Sequence, residues 1–232
     1  MMNRRTTLAA AVALAFAFAP GAVPRADDTR AHAPDFRRAA KVGAEVSPDR
    51  AAFEFEAGGF NYHVAANGNG RRTKGDKTRR FNLRLDGREF VEGLRFTFHE
   101  GDLLLVCELY DGEARAGLVT RLEQPSMRAL WRSPVPAAEV GEPLRDGHSL
   151  YVTGAGFVAR LDLRTGEYFW EHEELDGDLG DVRAGRDAAR PFNSFETPEL
   201  ARDEVLFRER PVYNPPRTLV VNRKTGKIIR VE

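Results

Sequence analysis

Gly117, Val119, Arg121, Leu122 and Trp131 fall on Gly156, Val158, Arg160, Leu161 and Trp170 with one offset of 39 residues throughout. A third, partial copy follows after a further 60 residues. There Leu161 matches Val221, Asp162 matches Asn222, Thr165-Gly166 matches Thr225-Gly226 and Tyr168 matches Ile228, with Arg230 in the tryptophan position. Each copy is preceded by a turn and an apolar run: Gly101-Asp102 before Leu103 to Val106, Asp146-Gly147 before Leu150 to Val152, and Asp203-Glu204 before Val205 to Phe207. Agreement of turns, strands and tryptophans together is not a chance match. A unit of this length holds one small sheet and cannot bury both its faces alone, so the copies must stack on one another.

The copy from Ser149 to Glu171 is the clearest. Leu150-Tyr151-Val152 is β-branched and aromatic, and Gly154-Ala155-Gly156 can supply the positive φ of a hairpin. Phe157, Ala159, Leu161 and Leu163 alternate with Val158, Arg160, Asp162 and Arg164, the period of a strand. Arg164-Thr165-Gly166-Glu167 is a turn, and Tyr168-Phe169-Trp170 a further strand. Upstream the pattern is again β: Phe53 and Phe55, then Phe60, Tyr62 and Val64, then Phe81 to Leu85 running into Asp86-Gly87, a two-residue hairpin signal, with Phe90-Val91 beyond it. Leu94, Phe96 and Phe98 alternate in the same way, and no segment keeps a helical period over three turns.

A period near 40 residues with about four short strands per copy predicts propeller blades. The expected fold is all-β, a β-propeller-like array of about four antiparallel blades over 51–232, with Ala51 to Val91 as a divergent first blade. Four blades lie at the lower end for closure, so the array is small or incomplete. Within this class the consensus resembles the quinoprotein-like, or PQQ-type, β-propeller repeat. The matching residues are Leu150-Tyr151-Val152, Gly156-Phe157-Val158, Leu161-Asp162, Thr165-Gly166 and Trp170. The match is looser around Gly117 to Trp131, where Gln124-Pro125-Ser126 replaces the turn. The resemblance implies that Trp131 and Trp170 pack between blades, each burying on the order of 200 Å².

Residues 1–26 read as a secretory signal peptide: Arg4-Arg5, then the apolar stretch Leu8 to Ala19, with cleavage after Ala19, Ala22 or Ala26. That stretch is too short for the ~20 residues a bilayer span requires. Export to the periplasm or beyond is therefore expected, with no stable span after cleavage. Residues 27–50 mix charge, alanine and proline and read as a flexible lead-in with one helical turn around Phe36 to Lys41.

Chemical motifs are sparse. Basic and acidic residues number 35 each, so bulk charge points to neither nucleic acid nor an anionic membrane. Cys107 is the only cysteine and sits in an apolar run, as a buried hydrophobe would. The quinone-dependent dehydrogenases that the resemblance includes use an adjacent cysteine pair and a calcium site; neither is present, so no cofactor residue is assigned. His32, His63, His99, His148 and His172 stand at no metal-binding spacing. Asp176-x-Asp178 begins like a calcium loop but lacks the remaining ligands, and reads as a solvated insertion within Asp176 to Arg190. Ser126, Ser133, Ser149 and Ser194 lack a hydrolase context. Asn67 to Arg80 is the one concentrated basic run, and its Asn-Gly pairs suggest a hairpin-tip loop that could carry an anion-binding surface. No catalytic, cofactor or metal residue is assigned. The expectation is an exported, non-catalytic binding or scaffold protein of the bacterial envelope whose partner is a protein or glycan. The alternative is an enzyme, a hydrolase before a quinone-dependent oxidoreductase, with a site assembled from several blades.

Overall fold

The computed structural model describes residues 35–42, 52–85, 90–175, 191–211 and 216–232, and all the elements within them are β-strands. Blade 1 is β3 (Ala52–Ala57), β4 (Phe60–Ala65), β5 (Asn69–Lys74) and β6 (Lys77–Asn82). Blade 2 is β7 (Phe90–His99), β8 (Asp102–Tyr110), β9 (Arg115–Leu122) and β10 (Ala129–Val135). Blade 3 is β11 (Leu144–Asp146), β12 (Ser149–Gly154), β13 (Phe157–Asp162) and β14 (Tyr168–His172). Blade 4 is β15 (Glu199–Ala201), β16 (Glu204–Arg208), β17 (Thr218–Asn222) and β18 (Ile228–Val231). Each is an antiparallel meander in chain order. The chain is thus an all-β, propeller-like array of four blades, as the repeat predicts.

The strand period explains the stacking. Leu103, Leu105, Cys107 and Leu109 of β8 face a core shared with Phe53, Tyr62 and Val64 of blade 1. Leu104 and Val106, one residue out of phase, face Leu150, Val152 and Phe157 of blade 3. Blade 3 repeats the device: Tyr151 and Val158 point away from blade 2 into a layer with Val205, Phe207, Leu219 and Val221 of blade 4. Three apolar layers therefore hold four sheets, and among the described residues none joins blade 4 to blade 1, so the array is not closed.

Polar contacts reinforce each layer at repeat positions. Trp131 Nε1 donates to Leu163 O at 3.1 Å, and Trp170 Nε1 to Arg223 O at 3.1 Å, each reaching the next blade. Both indoles lie over a turn glycine. A Cβ at Gly166 would stand 2.7 Å from Trp131 Cδ2, and one at Gly226 2.6 Å from Trp170 Cγ. Arg121 Nη1 donates to the same Leu163 carbonyl at 3.0 Å and Arg160 Nη1 to that of Arg223 at 3.1 Å. Arg72 of blade 1 donates to the carbonyl of Gln124, which occupies the corresponding turn of blade 2. In blade 4 Val220 and Arg230 stand in the arginine and tryptophan positions. Arg230 instead pairs with Glu204 and Glu232 of its own blade.

Three details differ from the sequence reading. Within the expected lead-in, β1 (Arg37–Arg38) pairs with Phe96 and Arg95, and β2 (Ala40–Val42) pairs with Glu54 to Ala52. Phe36 is buried in the layer between blades 2 and 3. The segment is extended rather than helical because the first strands of blades 1 and 2 would otherwise leave a row of backbone groups unpaired. Asp86-Gly87 lies outside the described residues, and the strands on either side, β6 and β7, belong to different sheets, so they form no hairpin. Asn67 to Arg80 is not a loop: it is most of the β5–β6 hairpin, with only Gly75-Asp76 in its turn. The expected signal peptide over 1–26, His32 and the expected insertion over 176–190 lie outside the described residues.

Candidate functional site

The outer face of blade 1 collects polar side chains that no blade among the described residues covers. Period 2 sends Phe53, Tyr62, Val64 and Phe81 inward and leaves Glu54, Glu56, Asn61, His63, Arg71, Thr73 and Arg80 on the other side. Gly70 is required on the inner side, because a Cβ there would meet the Phe81 ring at 2.2 Å. The outer face carries two adjoining grooves. One, of about 420 Å³, is lined by Glu54, Glu56, His63 and Arg71 among others; the second, of about 350 Å³, adds Asn69 and Arg80. His63 Nδ1 lies 3.1 Å from Glu54 Oε1, so one carboxylate of the acidic half is bridged internally.

The basic half is not. The β5–β6 register sets Arg71 opposite Arg80, Arg72 opposite Arg79 and Lys74 opposite Lys77. Like charges directly opposite one another destabilise a sheet by roughly 0.2–1 kcal/mol per pair. Arg72 is absorbed: it donates to Gln124 and Pro125 and its guanidinium lies 4.2 Å above the Phe60 ring. Lys74 also lies over Phe60, at 5.0 Å. Among the described residues no carboxylate pairs with Arg71, Arg79, Arg80 or Lys77. On the outer face the hairpin therefore presents Arg71 and Arg80 side by side, while Lys77 and Arg79 project from the opposite face.

The other residues singled out in the sequence are distributed as follows. Cys107 is fully buried, its thiol is pushed up to about 12 by burial and then by Glu108, and Sγ lies 3.6 Å from Leu118 O. His172 Nε2 lies 2.8 Å from Gly226 O and ties blade 3 to blade 4. Ser133 donates to Gly166 O, Ser149 accepts from Arg160 at 3.0 Å and Ser126 donates to Glu123 at 2.5 Å. Ser194 is buried. His99 and His148, which share no motif, come together from blades 2 and 3 with ring centroids 5.5 Å apart. The sequence hid that pair because 49 positions and a repeat boundary separate the two residues.

No family model and no curated protein matches the chain. Among solved structures it is similar to the computationally designed Ika8 protein, at 10% identity and a TM-score of 0.45, over 77% of this chain and 48% of that one. It is also similar to quinohemoprotein alcohol dehydrogenase ADHIIG from Pseudomonas putida HK5, at 10% identity and a TM-score of 0.47, over 90% of this chain and 37% of the other. The chain thus spans less than half the length of either. Its class is set by its own topology: an open stack of antiparallel β-blades of the propeller kind, with a basic hairpin on its first blade.

Proposed function

We propose that this chain is an exported, non-catalytic binding protein of the bacterial envelope, built of quinoprotein-like blades, that holds an anionic glycan on the outer face of blade 1. One observation carries the reading: on that face the β5–β6 register sets Arg71 directly opposite Arg80, and neither has a carboxylate partner among the described residues. An opposed arginine pair that costs stability and has no internal counter-ion is what an external polyanion would relieve. The signal-like features of residues 1–26 support export, and the repeat consensus supports the blade type. Guanidinium forks suit carboxylate and sulfate groups, and the adjoining grooves give a chain of sugars a track across the strands.

The test is binding of polygalacturonate to the purified protein, with neutral dextran, inorganic phosphate and anionic lipid vesicles as competitors. The reading expects saturable binding to the acidic polysaccharide, weakened as ionic strength rises to about 0.15 M, where screening acts over ~8 Å. It expects a loss of tenfold or more in Arg71→Ser/Arg80→Ser. Equal binding of neutral dextran, capture by the vesicles or by a protein in preference to the glycan, or full binding by the double variant would refute it.

A further inference from the structure

We propose that His99, Glu100 and His148 form a site for a divalent cation of the zinc class, linking the β7–β8 turn of blade 2 to the β11–β12 turn of blade 3. Glu100 stands between the two rings: its Oε2 lies 3.8 Å from His99 Nε2 and its Oε1 3.5 Å from His148 Nδ1. One donor atom from each of the three residues lies within 4.8 Å of the others. A tetrahedral ion with metal–ligand bonds of about 2.0–2.1 Å holds its donors roughly 3.3–3.5 Å apart. Only a small contraction is needed, and the side chains of Glu100 and His148, 49% and 52% exposed, have room to make it.

A further observation points to a ligand. His99 is only 5% exposed, and its Nε2, turned toward Glu100, has no hydrogen-bond partner. A buried ring nitrogen left unsatisfied calls for an explanation, and a metal ion supplies one. Glu100 itself is held at φ 52 beside Gly101 at φ 88, in a two-residue turn where glycine or asparagine is the easy choice. The same value recurs at Arg202, φ 51, in the matching turn of blade 4, so it belongs to the hairpin.

The neighbouring cations do not block the site. Arg121 Nη2 contacts Glu100 Oε2 at 3.1 Å, but Asp102 and the Leu163 carbonyl hold the same guanidinium and keep it in place if Glu100 turns to an ion. Arg145 Nη1 stands 3.4 Å from His99 Nδ1 and is anchored by Phe98 O and Asp35. Coordination through Nε2 requires the proton on Nδ1, so Arg145 must draw back and the affinity is moderate. Asp35, Glu100 and Asp102 together outnumber the two guanidiniums. Two imidazoles and one carboxylate suit zinc better than calcium or magnesium, which take all-oxygen sets, and water would fill the fourth position. This site is independent of the basic hairpin.

The test is calorimetric titration of the chelator-treated full chain with zinc chloride, alongside urea unfolding with and without zinc. Wild type is expected to bind one equivalent in the micromolar range and to unfold at higher urea when loaded. Glu100→Gly, whose backbone the turn favours, and His148→Gln, at an exposed position, are expected to fold, to bind at least tenfold more weakly and to gain no resistance from zinc. His63→Gln on blade 1 is expected to behave as wild type. Absence of saturable zinc binding in wild type, or less than a tenfold loss in either ligand variant, overturns the proposal.

Discussion

Gly226 tests the blade-to-blade joint directly. It sits at φ 76, and a Cβ there would lie 2.6 Å from Trp170 Cγ and 2.7 Å from Trp170 Cβ. Gly226→Ala therefore meets two separate penalties. The left-handed backbone costs about 1–2 kcal/mol for any L-residue. Displacing the indole adds loss of the Trp170 Nε1 bond to Arg223 O, about 1 kcal/mol, and of contact with Phe207 and Tyr151, whose ring centroids lie 6.4 and 6.2 Å away. The total comes to roughly 3–5 kcal/mol, near the ~3–5 kcal/mol expected of Trp170→Ala. Gly147→Ala isolates the first penalty, because Gly147 has φ 58 and a Cβ there meets nothing within 4 Å; it is expected to cost only about 1–2 kcal/mol. With Trp170→Ala already present, Gly226→Ala is expected to fall to that same value, a coupling of about 2 kcal/mol in a double-mutant cycle. Urea unfolding followed by far-UV circular dichroism supplies the four free energies. Additivity within about 0.5 kcal/mol would mean that Trp170 is not seated on Gly226.

Further outcomes follow from other contacts. Arg121→Met removes the donor that reaches Leu163 O and leaves Asp102 without its guanidinium, and is expected to cost about 1–3 kcal/mol by urea unfolding. Glu209 is buried against Arg217; burial alone would raise its pKa, but hydrogen bonds from Arg217 and the Asn193 amide outweigh it and hold the carboxyl below the usual value. Its contribution to stability is therefore fully present above the ordinary carboxylate pKa of about 4.3 and is lost as pH falls through the depressed one. Glu209→Gln should cost about 1.5–3 kcal/mol at neutral pH by weakening the charged hydrogen bonds it shares with Arg217, and should flatten that part of the acid-unfolding profile. Cys107, with its thiol near 12, is expected to react with a thiol reagent only after denaturant is added; fast labelling of the native protein would contradict its burial.

The repeat was legible because its residues do the same work in every copy. Gly166 and Gly226 receive an indole, Arg121 and Arg160 reach the next blade's turn, and the 39-residue offset therefore marks real structural equivalence. The basic hairpin was harder to read as strand. Its inner face holds Gly70 and Arg72 rather than a run of apolar residues, and its outer face meets solvent, so Asn69 to Asn82 shows no alternation of apolar and polar residues. Strands β1 and β2 borrow their order from the edges of β7 and β3, a tertiary effect that local composition does not carry. His99 and His148 meet only because blade 3 stacks on blade 2, which no linear spacing encodes.

The measurement closest to the central claim is the stability of Arg71→Thr/Arg80→Thr in the absence of ligand. If the opposed arginines are kept for an external anion, replacing them with threonine, a good strand residue, removes like-charge repulsion and raises the urea midpoint by the equivalent of about 0.2–1 kcal/mol. The same variant loses the acidic glycan. A fall in stability together with unchanged glycan binding would mean that the two arginines serve the fold, and would contradict the account.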